Sequence, residues 1–293
     1  MPANGDVYPT IVEGDWYFET ERSGFAQGVR VRQRILDVQT PFQHLELIDT
    51  DAFGRALILD EALQTSEFDE FMYHEMIVHV PLMTHPNPRR VLIIGGGDGG
   101  ALRRVLEHPA VCAVQVEIDR AVIDVCRDKL PGISAGAYDS PRAELVLADG
   151  VEFMRQNPGA FDVVIIDSTD PIGPAVGLFE EPFYRDVAAA LADDGLLAAQ
   201  SSSPLLMAGE LRSQAHNLGK TFPIVRTYLG IVPGYPGSLW SYTIGSKQHD
   251  PLAVERASIV ARLERGAIRT RYYTPDVHHA AFALPPFIAD IVS

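Results

Sequence analysis

A run of glycines directly after a short apolar segment constrains the fold of this chain most. Val91–Ile94 is wholly apolar, which is typical of a strand buried on both faces of a parallel sheet. The run Gly95–Gly100, interrupted by Asp98, follows it and opens a predicted helix from Ala101. The run fits the G-x-G-x-x-G pattern in its strand–turn–helix context, where glycines let a ligand approach backbone amides closely. The pattern predicts a nucleotide or nucleoside site, and by itself it does not separate nicotinamide cofactors from ligands of the S-adenosylmethionine type.

From residue 69 onward the sequence alternates between apolar strands and helices. The predicted strands are Val91–Ile94, Val114–Glu117, Leu145–Leu147, Phe161–Ile166 and Leu196–Ala199. The predicted helices include Asp69–Val80 stopped by Pro81, Arg120–Leu130 capped by Asp119, and Pro182–Leu191 with Gly195 as its stop. This alternation predicts an α/β protein with a Rossmann-like, doubly wound, mostly parallel sheet. Phe222–Leu229 and Leu239–Ile244 predict an additional hairpin at its edge.

Residues 1–68 have a different character, with period-two alternation and turn residues. Val29–Val38 and Gln43–Ile48 read as strands, with Leu45 and Leu47 on one face. The turn at residues 50–54 leads into residues 55–59, which predicts a hairpin. We therefore predict a small N-terminal antiparallel β domain over residues 1–68 and a Rossmann-like catalytic domain over residues 69–293.

The composition narrows the possible partners. With 39 acidic and 24 basic residues the net charge is −15, which disfavours nucleic acid and anionic membranes and weakly favours cationic small molecules. No apolar run approaches the roughly 18 residues of a membrane span, and no secretory signal is visible, so we expect a cytoplasmic protein. The two cysteines cannot build a disulfide framework or a four-thiolate zinc site.

Two further local patterns are discounted. The histidine pairs His74/His79 and His278/His279 lack metal-ligand spacing on one helix face, so no metal site is predicted. The G-x-S-x-G match at residues 132–136 lacks the strand–turn–helix context of a hydrolase nucleophile.

Acidic residues follow the predicted strands at the sheet edge where such folds bind ligands. Glu117 ends the second strand, where a carboxylate can accept hydrogen bonds from both ribose hydroxyls. Asp98 lies inside the glycine loop, where it disfavours a pyrophosphate and favours a cationic group. Asp149 can read an adenine ring, cap the following helix, or do both. Asp167 and Asp170 can hold a cationic substrate, or one can accept a proton while the other orients.

Taken together, these motifs resemble the spermidine synthase (polyamine aminopropyltransferase) family from about residue 14 to the C-terminus. The matching segments are Phe42–His44, Asp69–Met76, Gly95–Gly99, Glu117–Asp119, Asp149–Gly150, Asp167–Pro174 and Ala281–Pro285. The resemblance implies a small β domain before a Rossmann-like domain, and a homodimer or homotetramer. It also implies transfer of the aminopropyl group of decarboxylated S-adenosylmethionine to putrescine, which gives spermidine and methylthioadenosine. The donor is then a co-substrate, and no prosthetic group is implied.

The resemblance also implies a role for each matching residue. Asp167 is implied to be the base that accepts the proton of the attacking amine. The implied amine contacts are Tyr73, His74, Asp98, Asp167, Asp170, Gln200 and Tyr235. The implied contacts to the nucleoside donor are Gln43, Gly95, Gly97, Asp98, Glu117, Asp149, Gly150 and Pro174, with Asp98 binding the aminopropyl ammonium. For the far ammonium of a diamine, His74, Glu70 and Glu75 are candidate anchors.

Two segments depart from the family pattern on the acceptor side, namely Ser201–Leu205 and Pro233–Ser238. Transfer to cadaverine, agmatine or spermidine therefore stays open beside putrescine. A nicotinamide dehydrogenase or methyltransferase on the same fold also stays open, as does a catalytically silent polyamine-binding protein.

Overall fold

The N-terminal part of the chain forms a five-stranded antiparallel sheet. The computed structural model describes residues 13–169, 177–178 and 180–293, and Asp170 and Pro174 lie outside the described residues. The strands are β1 (Trp16–Thr20), β2 (Ala26–Gln39), β3 (His44–Thr50), β4 (Gly54–Leu59) and β5 (Ala62–Ser66), and they neighbour one another in that order. The predicted hairpin is confirmed, since Thr50 pairs with Gly54 across the turn.

The rest of the chain builds a seven-stranded, mostly parallel sheet, which confirms the predicted fold class. Its strands are β6 (Arg90–Gly95), β7 (Cys112–Glu117), β8 (Ala143–Leu147), β9 (Phe161–Asp167), β10 (Leu191–Gln200), β11 (Ile224–Ile231) and β12 (Leu239–Ser246). Their spatial order is β11-β12-β10-β9-β6-β7-β8, with β11 and β12 antiparallel at one edge as predicted.

The order of these strands fixes where a ligand can bind. From β6 the chain moves outward through β7 and β8, and it then returns to place β9 on the other side of β6. The switch point of the sheet therefore lies between β6 and β9, where Gly95 is the register partner of Asp167. Ligands of doubly wound folds bind outside the carboxyl ends of the strands at this point.

Helices cover the faces of this sheet. They are α1 (Glu70–Thr84), α2 (Gly100–Leu106), α3 (Arg120–Lys129), α4 (Pro131–Ser134), α5 (Gly150–Arg155), α6 (Glu181–Ala190), α7 (Ala208–Gly219), α8 (Arg256–Gly266), α9 (Pro275–Ala280) and α10 (Pro286–Val292). The Asp119 side chain caps α3 as predicted, accepting a hydrogen bond from the Ala121 amide. Within the part of the chain that the structure describes, no helix combines the length and the apolar character that a membrane span requires.

Two predicted helix ends are wrong. Helix α1 runs through Pro81 to Thr84, because Arg262 donates hydrogen bonds to the carbonyl oxygens of Leu82, Met83 and His85 and so satisfies the end of the helix. Gly195 does not stop α6, which ends at Ala190. It lies inside β10 at an irregularity in the pairing with β9.

The two sheets share buried surface. Leu45 and Leu47 of β3 are fully buried, and they cluster with Val122 and Ile133 of the second sheet's helices. This contact places the N-terminal sheet over the carboxyl ends of the parallel strands, where it closes one side of the ligand cavity. The domain boundary at residue 68 stays a prediction; β5 ends at Ser66 and α1 begins at Glu70.

Candidate active site

A cavity of about 200 Å³ opens at the switch point of the parallel sheet. Residues from both sheets line it. Of the residues implied by the resemblance, the following line the cavity: Gln43, Tyr73, His74, Gly95, Gly97, Asp98, Glu117, Asp149, Gly150, Asp167 and Tyr235. Gln200 lines a smaller adjoining cavity, and the positions of Asp170 and Pro174 are outside the described residues.

The glycine loop brings the backbone close to the end of β9. Gly96 has a φ of +65°, and its amide donates to the Asp167 carbonyl oxygen at 2.8 Å. A Cβ atom on Gly96 would lie 2.7 Å from the Asp167 Oδ2 atom. A side chain at this position would therefore displace the Asp167 carboxyl group.

The Asp167 carboxyl group is buried at the end of β9 and has one hydrogen-bond partner among the described side chains. The Tyr73 hydroxyl donates to its Oδ1 atom at 2.7 Å, while the Oδ2 atom is buried and accepts no hydrogen bond from the described residues. Burial raises the pKa of the Asp167 carboxyl to about 6, with the Asp98 charge acting in the same direction and His74 and Tyr73 against it. Above that pH the group is a carboxylate, and it is a stronger base than an ordinary aspartate.

His74 is a buried cation held between two acids. Its Nδ1 atom lies 2.9 Å from Glu70 Oε2, one helical turn earlier, and its Nε2 atom lies 3.4 Å from Asp98 Oδ2. Burial opposes the imidazolium charge, but Asp98 and Glu70 together raise the pKa of His74 to about 10. Burial likewise opposes ionisation of Asp98, and the His74 charge holds the Asp98 pKa below its ordinary value. Gly100 leaves the space for this ring, since a Cβ there would overlap it.

Strand β7 presents Glu117 to the larger cavity. The Glu117 Oε1 atom accepts from the backbone amides of Ile118 and Asp119 at 2.8 and 2.9 Å, which fixes the carboxyl group. Burial raises the Glu117 pKa to about 7. Asp149 caps α5 through the Val151 and Glu152 amides while it also lines the cavity, so both of its predicted uses are sterically compatible.

Behind Tyr73 and Tyr235 lies the smaller cavity, of about 30 Å³, which both tyrosines also line. Its other wall includes Glu19 of β1, a residue that is only 6% exposed. Sequence reasoning missed Glu19. Tyr17 and Glu19 are buried while Phe18 between them is 56% exposed, so an acid occupies an inward position of an alternating strand. An acidic residue at an inward-facing position of an alternating strand is the sequence feature that could have identified Glu19.

None of the three predicted anchors for the far ammonium presents a carboxyl group to either cavity. Glu70 lines neither of them, and its Oε2 atom lies 2.9 Å from His74 Nδ1. Glu75 lines neither cavity, since it is fully buried and accepts hydrogen bonds from the backbone amides of Arg271, Tyr272 and Tyr273. His74 is itself a cation, so it offers no negative charge to a second ammonium. The Glu75 carboxyl group is bound by backbone amides from a remote part of the chain, whereas His74 pairs with Glu70 in the same helix and with Asp98 of the glycine loop.

The structure is a Rossmann-like fold with a cavity at the switch point of its parallel sheet, which is where such folds bind their ligands. A family model described as spermine/spermidine synthase domain matches residues 70–255, and one described as spermidine synthase tetramerisation domain matches residues 15–67. The chain belongs to the spermine/spermidine synthase family and is an enzyme of the aminopropyltransferase class.

Known relatives cover nearly the whole chain. A polyamine aminopropyltransferase from Desulforudis audaxviator is 50% identical over 276 residues, which is 94% of this chain and 98% of the relative. A crystal structure of spermidine synthase in complex with the transition-state analogue AdoDATO superposes with a TM-score of 0.91 at 40% identity, covering 96% of this chain and 95% of that one. The crystal structure of spermidine synthase from Thermotoga maritima has a TM-score of 0.89 at 40% identity, covering 96% and 94%.

Proposed function

We propose that this enzyme transfers the aminopropyl group of decarboxylated S-adenosylmethionine to putrescine, releasing methylthioadenosine and spermidine. One observation carries the proposal. Asp167, with its raised pKa, lines the larger cavity together with Glu117, and its hydrogen-bond partner Tyr73 also lines the smaller cavity that contains Glu19. The solved relative with AdoDATO supports the donor, because that ligand is described as a transition-state analogue of spermidine synthase.

The donor side offers a matched group for each part of the co-substrate. We assign the ribose hydroxyls to Glu117, the aminopropyl ammonium to Asp98, and the adenine to Asp149 and Gly150 together with Pro174, which lies outside the described residues. Because the His74 charge keeps Asp98 ionised, Asp98 stabilises an ammonium and repels the carboxylate of intact S-adenosylmethionine.

The transfer is a single displacement. The amine lone pair forms a bond to the carbon next to the sulfonium, the carbon–sulfur bond breaks with its electrons going to sulfur, and the amine proton goes to Asp167. An alkylamine with a pKa near 10.4 is almost entirely protonated at pH 7, which costs roughly 4–5 kcal/mol. Asp167 offsets part of this cost by accepting the proton, and positioning of the two substrates supplies a further part.

The acceptor side favours a diamine of limited length. The reacting amine lies by Asp167 and Tyr73, and we assign the far ammonium to Glu19 across the smaller cavity. Hydrogen bonds connect residues that line the smaller cavity. The Gln200 amide nitrogen lies 3.3 Å from the Ser168 carbonyl oxygen, and the Tyr235 hydroxyl donates to the Gln64 carbonyl oxygen at 2.6 Å. The segment Pro233–Ser238, whose sequence differs from the family pattern, is held by Asp69, which accepts a hydrogen bond from the Gly234 amide at 2.6 Å.

An acceptor panel tests the proposal. Methylthioadenosine release is measured with putrescine, cadaverine, agmatine and spermidine at saturating donor. We expect kcat/KM for putrescine to exceed that for cadaverine about 10-fold or more, since one misfitting methylene costs about 1–3 kcal/mol. A preference for agmatine or spermidine would overturn putrescine as acceptor while leaving aminopropyl transfer standing.

A Glu19→Gln variant tests the far anchor. We expect its KM for putrescine to rise about 10-fold or more, because a buried ammonium loses a charged partner, while the donor KM stays unchanged. The exposed Glu13→Gln is the matched control. An equal effect on donor and acceptor would remove Glu19 from this role.

The assembly and the cellular location complete the proposal. The match of residues 15–67 to a tetramerisation domain supports an oligomer, and we propose a homodimer or homotetramer. Both cysteines are free thiols, which agrees with a reducing compartment such as the cytoplasm.

A further inference from the structure

Three side chains far apart in sequence meet at the end of the sheet opposite the active site. His85 follows α1, Asp194 lies near the start of β10, and His249 follows β12. The Nε2 atoms of His85 and His249 lie 3.6 and 3.3 Å from the same atom, Asp194 Oδ2. One ligand atom from each residue lies within 4.8 Å of the other two.

We propose that His85, Asp194 and His249 form a binding site for a divalent transition-metal ion of the zinc class. Two imidazoles and one carboxylate suit Zn²⁺ and its neighbours, whereas Mg²⁺ and Ca²⁺ prefer oxygen ligands alone. A tetrahedral ion with ligand distances of about 2.0–2.1 Å separates its ligand atoms by about 3.3 Å. The observed nitrogen–oxygen distances of 3.6 and 3.3 Å are closer to this ligand–ligand distance than to the length of a strong charge-assisted hydrogen bond, which is about 2.7–2.9 Å.

The environment of His85 supports a ligand. Its side chain is 4% exposed, and its Nε2 atom is buried without a hydrogen-bond partner among the described residues. A buried polar atom of this kind is costly unless something satisfies it. The Asp194 and His249 side chains are 42% and 26% exposed, which leaves an entry path and a side for solvent ligands.

Metal binding requires one local rearrangement. The Asn87 amide donates to His85 Nδ1 at 3.2 Å, and this contact places the ring proton on Nε2. A metal on Nε2 moves that proton to Nδ1 and breaks the Asn87 contact. We therefore expect binding to switch the His85 tautomer, which nitrogen chemical shifts report directly.

A metal ion bound here would stabilise the fold and would leave the reaction at the active site unchanged. It joins the end of α1, the irregular start of β10 and the segment after β12. Asp194 and Gln200 are six positions apart in β10, which is about 20 Å at the rise of an extended strand. This inference does not depend on the proposed reaction.

Zn²⁺ titration of chelator-treated, tag-free protein against a competing chromogenic chelator tests the site. We expect one Zn²⁺ per chain, an affinity at least 10-fold weaker in Asp194→Asn and in His249→Gln, and no competition by Mg²⁺. The controls are Asp193→Asn, next to the site, and the exposed His216→Gln. Both cluster variants alter partly exposed side chains, and their melting temperatures in chelator verify that they fold.

Two readouts decide the outcome. Zn²⁺ should raise the melting temperature of the wild type and of both controls, and should not raise it in either cluster variant. Methylthioadenosine release without added metal should be the same in all five proteins. Absence of stoichiometric binding, or binding that survives in both cluster variants, would overturn the proposal.

Discussion

The Asp167 carboxyl group, at the end of β9, is where the amine proton is expected to go. Asp167→Asn keeps an oxygen for the Tyr73 hydroxyl but removes the basic site, so we expect kcat to fall about 100-fold or more. Stability should not fall, because burial already disfavours the charged form of Asp167. Rates of methylthioadenosine formation and thermal unfolding measure the two effects. A variant that retains more than a tenth of the wild-type kcat would exclude Asp167 as the base.

The Tyr73 hydroxyl lowers the pKa of Asp167, although burial dominates and raises that pKa to about 6. Asp167 must be unprotonated to act as a base, so we expect kcat/KM to be lost as the pH falls through about 6. In Tyr73→Phe the stabilising hydrogen bond is gone, so this acid limb should move to higher pH. The pH profile of kcat/KM measures the shift. Tyr272→Phe, which loses a hydroxyl bonded to the Ile231 amide, should leave the limb in place, and an unmoved limb in Tyr73→Phe would contradict this role.

Local sequence predicted the acids at the strand ends and missed the residues that reach the cavity from elsewhere. Asp98, Glu117 and Asp167 each follow an apolar strand, so the chain order alone places them at one edge of the sheet. Glu19 comes from the N-terminal sheet, and its place in the cavity depends on how the two sheets pack. The His85–Asp194–His249 cluster was missed for the same reason, since no local spacing relates its members.

Helix α1 shows how tertiary contacts override a local stop. Pro81 removes one backbone donor and usually ends or kinks a helix. Here the following turn persists because the Arg262 guanidinium, from α8, satisfies its last carbonyl oxygens. Nearly every side chain of α1 is buried, so packing and not local propensity determines its length. The contact between Arg262 and the end of α1 depends on the tertiary structure, so it could not be predicted from the sequence.

The same helix is tied to the C-terminal part of the chain by Glu75. Its carboxylate accepts hydrogen bonds from three successive backbone amides of residues 271–273 and is fully buried. Glu75→Gln replaces an accepting oxygen with a donor, so we expect a loss of about 2–4 kcal/mol in the free energy of unfolding. Denaturant unfolding measures this loss, with the exposed Glu264→Gln as control. The KM for putrescine should stay within about twofold, and a large rise would return Glu75 to the amine site.

At the scale of the whole molecule, the alternation of strands and helices predicted the parallel sheet and its edge hairpin. It did so because βαβ crossovers are right-handed and few strand orders satisfy the pattern. The packing of the N-terminal sheet on α3 and α4, through Leu45 and Leu47, was not predicted. Apolar faces of two separate sheets can be recognised in a sequence, but which helices they meet depends on contacts distant along the chain.

The outer face of the N-terminal sheet is where we expect subunits to associate. Phe18 on β1 is 56% exposed and stacks on Trp16, and Phe25 just before β2 is 39% exposed. A chain with a net charge of −15 repels its copies, so association requires apolar contact of this kind.

Phe18→Glu should therefore reduce the oligomer mass measured by sedimentation velocity at micromolar concentration. Phe287→Glu, which alters an equally exposed side chain on α10, should not. β1 presents Phe18 outward and Glu19 to the smaller cavity, which we propose binds the acceptor amine, so dissociation should also raise the KM for the acceptor. An unchanged oligomer in Phe18→Glu would place the interface on another surface.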